Sequence, residues 1–240
     1  MDTDLTQKAV LVTGGGQGLG AAICSELASA GANVFVADRS ESAQSVSAEL
    51  TREGGRAYAL RGDVGNQDDV LRFIDEVQKR TGRLDVVVNN AGIDRTTGVD
   101  TLEVDDWDAI IRTNLRGPFL LSKFALPLLR ESHGDIVNVA STAAKRGWPN
   151  ASAYHASKWG LLGLSYALHA EFRAHGVRVT AVIAGGMRTP FLLERFPDLD
   201  PAKLQDPRDV ARAVRFALTQ PRESVVAEIT VLPIQESSWP

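Results

Sequence analysis

The chain of 240 residues is 44 % hydrophobic, enough for one substantial core, and its net charge of −4 carries no basic patch of the kind a phosphate backbone demands, so a nucleic-acid partner is excluded. No run approaches the ~20 apolar residues of a membrane span and residues 1–8 lack the apolar core of a signal peptide, which predicts a cytoplasmic protein with no membrane partner. The single Cys24, in the small-residue stretch Ala-Ala-Ile-Cys-Ser-Glu-Leu, reads as a buried inert thiol, so disulfides and Cys-based metal sites are excluded and no metal is expected.

In chain order, Ala9 to Thr13 reads as a strand, a helical stretch from about Leu19 to Ala30 stops at Gly31, and Asn33 to Ala37 forms the next strand. Ala57 to Leu60 and Asp85 to Asn89 continue the series. A long helical region from about Val104 to Arg130 precedes a strand at Asp135 to Val139, a helix from about Ser152 to His175 and a strand at Val177 to Ile183. Asp206 can cap a final helix whose first turn suits Pro207, and the last strand lies near Val225 to Leu232. There is no linker, repeat or low-complexity tract, so residues 1–240 are expected to form a single domain. Apolar runs too continuous to have a wet face belong in a parallel sheet covered on both sides. The predicted fold is therefore a Rossmann-type doubly wound α/β sheet of about seven strands, with ligands at the carboxyl ends of the strands.

The first strand runs directly into Thr13-Gly-Gly-Gly-Gln-Gly-Leu-Gly20, and a helix follows. Glycines remove the side chains that would hold backbone amides away from a pyrophosphate, and the helix N-terminus adds aligned donors, so Gly14, Gln17, Gly18, Leu19 and Gly20 form a candidate dinucleotide site. The second strand ends at Asp38, which can accept from both hydroxyls of an adenosine ribose and would repel a 2′-phosphate. That favours NAD(H). Gln17 is neutral where a basic residue would favour NADP(H), but Arg39 could pair with a 2′-phosphate by swinging inward, so NADP(H) is not excluded.

Tyr154 and Lys158 stand four apart in Tyr-His-Ala-Ser-Lys, thirteen residues after Ser141. With three Tyr and six Lys, chance gives only about 0.08 such pairs. On a helix this spacing puts an ammonium beside a phenol, which is expected to lower the Tyr154 pKa by about 1–3 units toward a working proton-transfer value, while Ser141 holds the reacting oxygen. The plain alternative is a surface pair with a snorkelling lysine.

Together these residues resemble the short-chain dehydrogenase/reductase family in its compact single-domain form. The signatures appear in order over nearly the whole chain: Thr13-Gly14 with Gly18 and Gly20, Asp63-Val64, Asn89-Asn90-Ala91-Gly92, Asn114, Ser141, and Tyr154 with Lys158. The resemblance implies an oxidoreductase moving a hydride between nicotinamide and a secondary alcohol or ketone. It implies that Asp63 accepts from the adenine amino group, that Val64 packs on its ring and that Asn90, Ala91 and Gly92 line the cofactor wall. It implies that Asn114 holds a water beside Lys158 from a kinked helix, that Ser141 binds the substrate oxygen and that Tyr154 exchanges its proton. Lys158 then binds the nicotinamide ribose, Gly185 keeps the loop after the sixth strand permissive and Thr189 meets the nicotinamide amide.

The chain departs from the family where an Asn and a Pro-Gly pair usually stand: it has Thr180, Ala184 and Gly185. Losing the fixed φ of proline predicts a more mobile loop leading into a substrate lid at about 188–205. Phe191 and Trp148 are expected pocket residues, and His155 is expected to be structural. The tail departs too, ending in Ser-Ser-Trp-Pro, so Trp239 is expected to dock on a neighbouring subunit of a homo-oligomer, a tetramer or dimer. Two other readings stay open, an NAD(P)-binding sensor without turnover and a sugar-nucleotide epimerase that shares the Tyr and Lys.

Overall fold

Five consecutive buried residues, Ala-Val-Leu-Val-Thr, form β1 (Ala9–Thr13) at the centre of the computed structural model, which describes residues 5–236. The chain continues through α1 (Gly18–Ser29), β2 (Asn33–Asp38), α2 (Ser42–Arg52), β3 (Arg56–Arg61), α3 (Gln67–Thr81) and β4 (Val86–Asn89). Next come α4 (Val104–Ile111), α5 (Gly117–Ser132), β5 (Asp135–Ser141), α6 (Ser152–Phe172), β6 (Arg178–Ala184), α7 (Pro190–Leu193), α8 (Pro207–Leu218) and β7 (Glu228–Val231). The sheet has seven parallel strands in the order β3-β2-β1-β4-β5-β6-β7.

Successive side chains of β1 serve opposite faces, as the pleat requires. Val10 and Val12 join a core with Ile23 and Leu27 of α1, Leu50 of α2 and Val214 of α8. Ala9 and Leu11 join the other, with Phe73 of α3, Leu121 of α5 and Phe172 of α6. Two covered faces explain why the central strands read as unbroken apolar runs. The topology reverses between β1 and β4, so the chain runs outward on either side of that pair and leaves a crevice at their carboxyl ends.

Several boundaries differ from the sequence expectation. The helix from Ser152 gives way at Phe172 to a tighter turn, Arg173–His175, closed by Gly176 at φ +71°. The last strand is only Glu228–Val231, because the sheet-edge strand pairs with the four residues Ala181 to Ala184 alone. The helices α2 and α3 lie outside the predicted elements, although α3 carries legible signals. Asn66 caps it by accepting from Asp68 N and Asp69 N, two acids fill its first turn, and Gly82 ends it in the left-handed region. The expected docking of Trp239 lies outside the described residues.

Candidate active site

The glycine turn is built against the start of the segment after β4. Gly14 has φ +62°, and a Cβ there would stand 2.8 Å from Ala91 Cα; a Cβ on Gly20 would stand 1.9 Å from the Gly14 carbonyl oxygen. Neither place admits a side chain without moving backbone. The hydroxyl of Thr13 donates to Val88 O and accepts from the amides of Asn90 and Ala91, both at 3.1 Å, while the Asn90 amide donates to Thr13 O (2.9 Å) and Gly14 O (3.1 Å). These bonds tie the carboxyl ends of β1 and β4 together. At the start of α1 no side chain among the described residues caps the helix, so its first amides remain available as donors to an anion.

Asp38 closes the far end of this turn. Its Oδ2 accepts from Gly16 N (3.1 Å) and its Oδ1 from Ser40 N (3.0 Å) and Ser40 Oγ (2.8 Å), which fixes an anionic group at the end of β2 with exposed Arg39 beside it. Asp63 accepts from Gly65 N (2.7 Å) and is not the cap of α3, a position held by Asn66. A cleft of about 980 Å³ runs from Asp38, Arg39, Asp63 and Val64 past Gln17 to Gly20 and Asn90 to Gly92, and on to Ser141, Tyr154, Lys158, Gly185 and Thr189. The residues present fit a dinucleotide: a side-chain-free cradle stands at the helix start and an acid at the end of β2.

At the inner end, α4 and α5 are joined through one widened π-helical turn, Arg112–Arg116. The family resemblance implies a kinked helix here, and the structure has a π-helical turn at that place. Asn114 in that turn is fully buried; its Oδ1 accepts from Ile93 N and its Nδ2 donates to Ile93 O, both at 2.8 Å, and to Ser157 Oγ at 3.0 Å. Both Asn114 Oδ1 and Lys158 Nζ lie under 4 Å from where a Cβ on Gly92 would stand, at 3.6 and 3.7 Å. Lys158 is buried, donates to Val139 O at 2.8 Å, and is pulled down to about 8 by that burial.

The expected lowering of the Tyr154 phenol is overturned. Its pKa is pushed up to about 12, first by burial, with the Ser141 hydrogen bond and Arg195 working the other way and Asp94 adding to the rise. Desolvation dominates that rise; Lys158 Nζ lies 5.7 Å from the Tyr154 ring centre and directs its hydrogen bond to Val139 O, not to the phenol oxygen.

Beyond Tyr154 the cleft carries a charged pair that the sequence pattern did not single out. Asp94, just after Asn90-Ala91-Gly92, pairs with Arg195, and the Arg195 guanidinium stacks 3.8 Å over the Phe191 ring, itself 6.0 Å from the Tyr154 ring. Trp148 also lines the cleft. Its backbone N–H donates to His155 Nε2 (3.1 Å), while His155 Nδ1 meets Ala143 O at 2.9 Å and therefore carries the proton. His155 thus holds the loop that presents Trp148. Where the family's proline is lost, hydrogen bonds from backbone amides tie the loop: Gly185 N donates to Val231 O (2.9 Å), Gly186 N to the side-chain Glu236 Oε2 (2.8 Å) and Gln205 N to Gly186 O (3.1 Å).

Comparison with known proteins gives a consistent result. The family model described as short chain dehydrogenase matches residues 8–200. A 3-oxoacyl-[acyl-carrier-protein] reductase of Synechocystis sp. is 36% identical over 232 residues, 93% of this chain and 94% of that protein. Among solved structures, a metagenomic short-chain oxidoreductase in complex with NADP superposes with a TM-score of 0.85 at 34% identity, covering 95% of this chain and 98% of that one. A putative NAD(P)-dependent gluconate 5-dehydrogenase from Beutenbergia cavernae, with NADP bound at low occupancy, gives 0.89 at 28% identity, covering 98% and 99%.

Proposed function

Since the chain belongs to the short chain dehydrogenase family, we propose that it is an NAD(P)-dependent oxidoreductase of secondary alcohols and ketones that uses Tyr154 as its proton donor and acceptor. One observation carries this reading: a single cleft joins the glycine turn and Asp38 at one end to Ser141, Tyr154 and Lys158 at the other, with Asn114 packed behind them. When bound, the nicotinamide supplies or accepts the hydride. Ser141 holds the substrate oxygen. In reduction Tyr154 gives that oxygen its proton as the carbonyl carbon becomes a carbinol carbon; in oxidation the phenolate takes the proton back. Lys158 binds the cofactor ribose and resupplies the proton, and Asn114 fixes the Ile93 backbone and Ser157 around it.

The anchored carboxylate of Asp38 supports a preference for NAD(H), since a second anion there meets like charge. The segment 188–205, which carries Phe191 and Arg195 over the cleft, serves as the substrate lid, with Trp148 as the facing wall. On α6, Trp159 and Tyr166 are about half exposed and support assembly as a homo-oligomer. The test follows NADH and NADPH absorbance over a panel of ketones for the wild type and Tyr154→Phe. Expected are a higher kcat/KM with NADH and a loss of more than about a hundredfold in turnover, with NADH binding kept, in the variant. Near-normal turnover by Tyr154→Phe removes the assignment, and a tenfold preference for NADPH removes the cofactor reading.

A further inference from the structure

The Asp94 carboxylate sits in the wall of the substrate end, and the reaction proposed above has no use for it. Its side chain is only 7 % exposed. One oxygen, Oδ2, is committed to Arg195 Nη1 and to Thr96 Oγ1 at 3.3 Å. The other, Oδ1, is buried and accepts no hydrogen bond from any described residue. A buried carboxylate oxygen without a donor is costly, and such groups mark places where a ligand completes the bonding.

The surroundings narrow what that ligand is. Arg195 is fixed by its Nε bond to Phe191 O (2.7 Å) and by its stacking on the Phe191 ring, and that ring lies 6.0 Å from the Tyr154 ring, so Arg195 and Phe191 link Asp94 to Tyr154 along the wall of one cleft that all four residues line. Asp94 acts electrostatically on the Tyr154 phenol as well. Arg95, the nearest other basic residue in the chain, is committed to Asp106 at 3.0 Å. Because Arg195 neutralises Asp94, the pair draws neither a substrate cation nor a substrate anion. What Oδ1 takes is a neutral donor, and the one that a small alcohol or ketone substrate carries is a further hydroxyl. An acyl thioester or a plain ketone offers only acceptors there and leaves Oδ1 unpaired.

We propose that the substrate is a hydroxylated ketone, or the polyol it interconverts with, and that a hydroxyl beside the reacting carbonyl donates to Asp94 Oδ1. This rests on the redox reading of the same cleft. A site built to bond a hydroxyl discriminates strongly against the analogue lacking it, whereas an apolar wall does not.

The test compares erythrulose with butan-2-one, the same carbon skeleton with and without hydroxyls, in the wild type, in Asp94→Asn and in the double variant Asp94→Leu/Arg195→Met, which removes the acceptor with its counter-ion. The wild type is expected to favour erythrulose by more than about tenfold in kcat/KM, Asp94→Asn to lose several-fold of that ratio, and the double variant to approach parity. A disturbed lid lowers both ketones together and leaves the ratio unmoved. Calorimetric binding of erythritol against butan-2-ol to the NAD⁺-loaded protein supplies a readout that needs no turnover. Erythritol binding that depends on Asp94 without turnover of either ketone supports the hydroxyl contact and removes the redox reading. Turnover or binding that does not distinguish the hydroxylated partner, or a preference unchanged in both Asp94 variants, overturns the proposal.

Discussion

Tyr154 rests with its phenol pushed up to about 12 and Lys158 with its ammonium pulled down to about 8, in each case chiefly by burial. At neutral pH the phenol therefore carries its proton, the state that ketone reduction needs, whereas alcohol oxidation needs the phenolate. Initial rates are expected to rise with pH from about 7 to 9 for oxidation and to stay nearly level for reduction; an oxidation rate that plateaus near neutrality would show that bound cofactor brings the phenol down. Lys158 also makes a stability prediction. Its folded value lies below the ordinary 10.5, so between about 8 and 10.5 the unfolded chain binds more protons, and stability rises with pH through that window. Below pH 8 both states are protonated and the burial cost of about 3 kcal/mol is constant. Urea unfolding at pH 7.5 and 10 checks this: Lys158→Met should be more stable than the wild type at the lower pH and should lack the rise.

The elements that position these groups do so by close approach of backbone. The turn between β1 and α1 passes so near the start of the segment after β4 that the missing Cβ atoms of Gly14 and Gly20 are part of its geometry. In Gly20→Ala the added methyl would meet Gly14 O at 1.9 Å, so the turn must shift and its amides lose their aim. Cofactor binding, followed by NADH fluorescence, should weaken by roughly tenfold or more, from an overpacking cost of about 1–3 kcal/mol, while the circular-dichroism spectrum keeps its α/β form. The π-helical turn is the second such device. It replaces an ordinary helical step with one that aims Asn114 at Ile93, so a residue with weak helix propensity sits in a helix because its side chain replaces backbone bonds.

Across the whole molecule, the crevice exists because β1 and β4 pair at the reversal of strand order, and their amino ends are fastened by one carboxylate. Asp85 accepts from Ala9 N (2.9 Å), Lys8 Nζ (3.1 Å) and Arg83 Nε (2.7 Å) and Nη2 (2.5 Å). Burial pushes its pKa upward, but Arg83, the Ala9 amide and Lys8 outweigh it and hold the carboxyl below its ordinary value. A depressed folded value gives stability that is present above the unfolded pKa of 3.8 and lost as pH falls through the folded one. Asp85→Asn should cost about 2–4 kcal/mol in urea unfolding at pH 7, with a smaller deficit as the pH falls below 4. A deficit independent of pH would mean that packing, not charge, fastens the two strands.

What the sequence determined by itself was whatever depends on near neighbours in the chain. Two-sided strands such as Val86 to Asn89, the glycine turn after Thr13, the acid at Asp38 and the spacing of Tyr154 and Lys158 are local patterns, and a local pattern needs no knowledge of the rest of the fold. The helices α2 and α3 lie outside the predicted elements, although Asn66, Asp68, Asp69 and Gly82 mark the second of them. The tertiary structure alone decided the rest. It pairs Asp94 with Arg195 across 101 positions, sets His155 against Trp148, and partly buries Tyr154 at the cleft wall, where desolvation raises its phenol although spacing alone predicted a fall. The physical reason is common to all three: desolvation and side-chain partners are set by what the fold packs around a residue, and helix spacing specifies only which groups can come near, not which way their hydrogen bonds point.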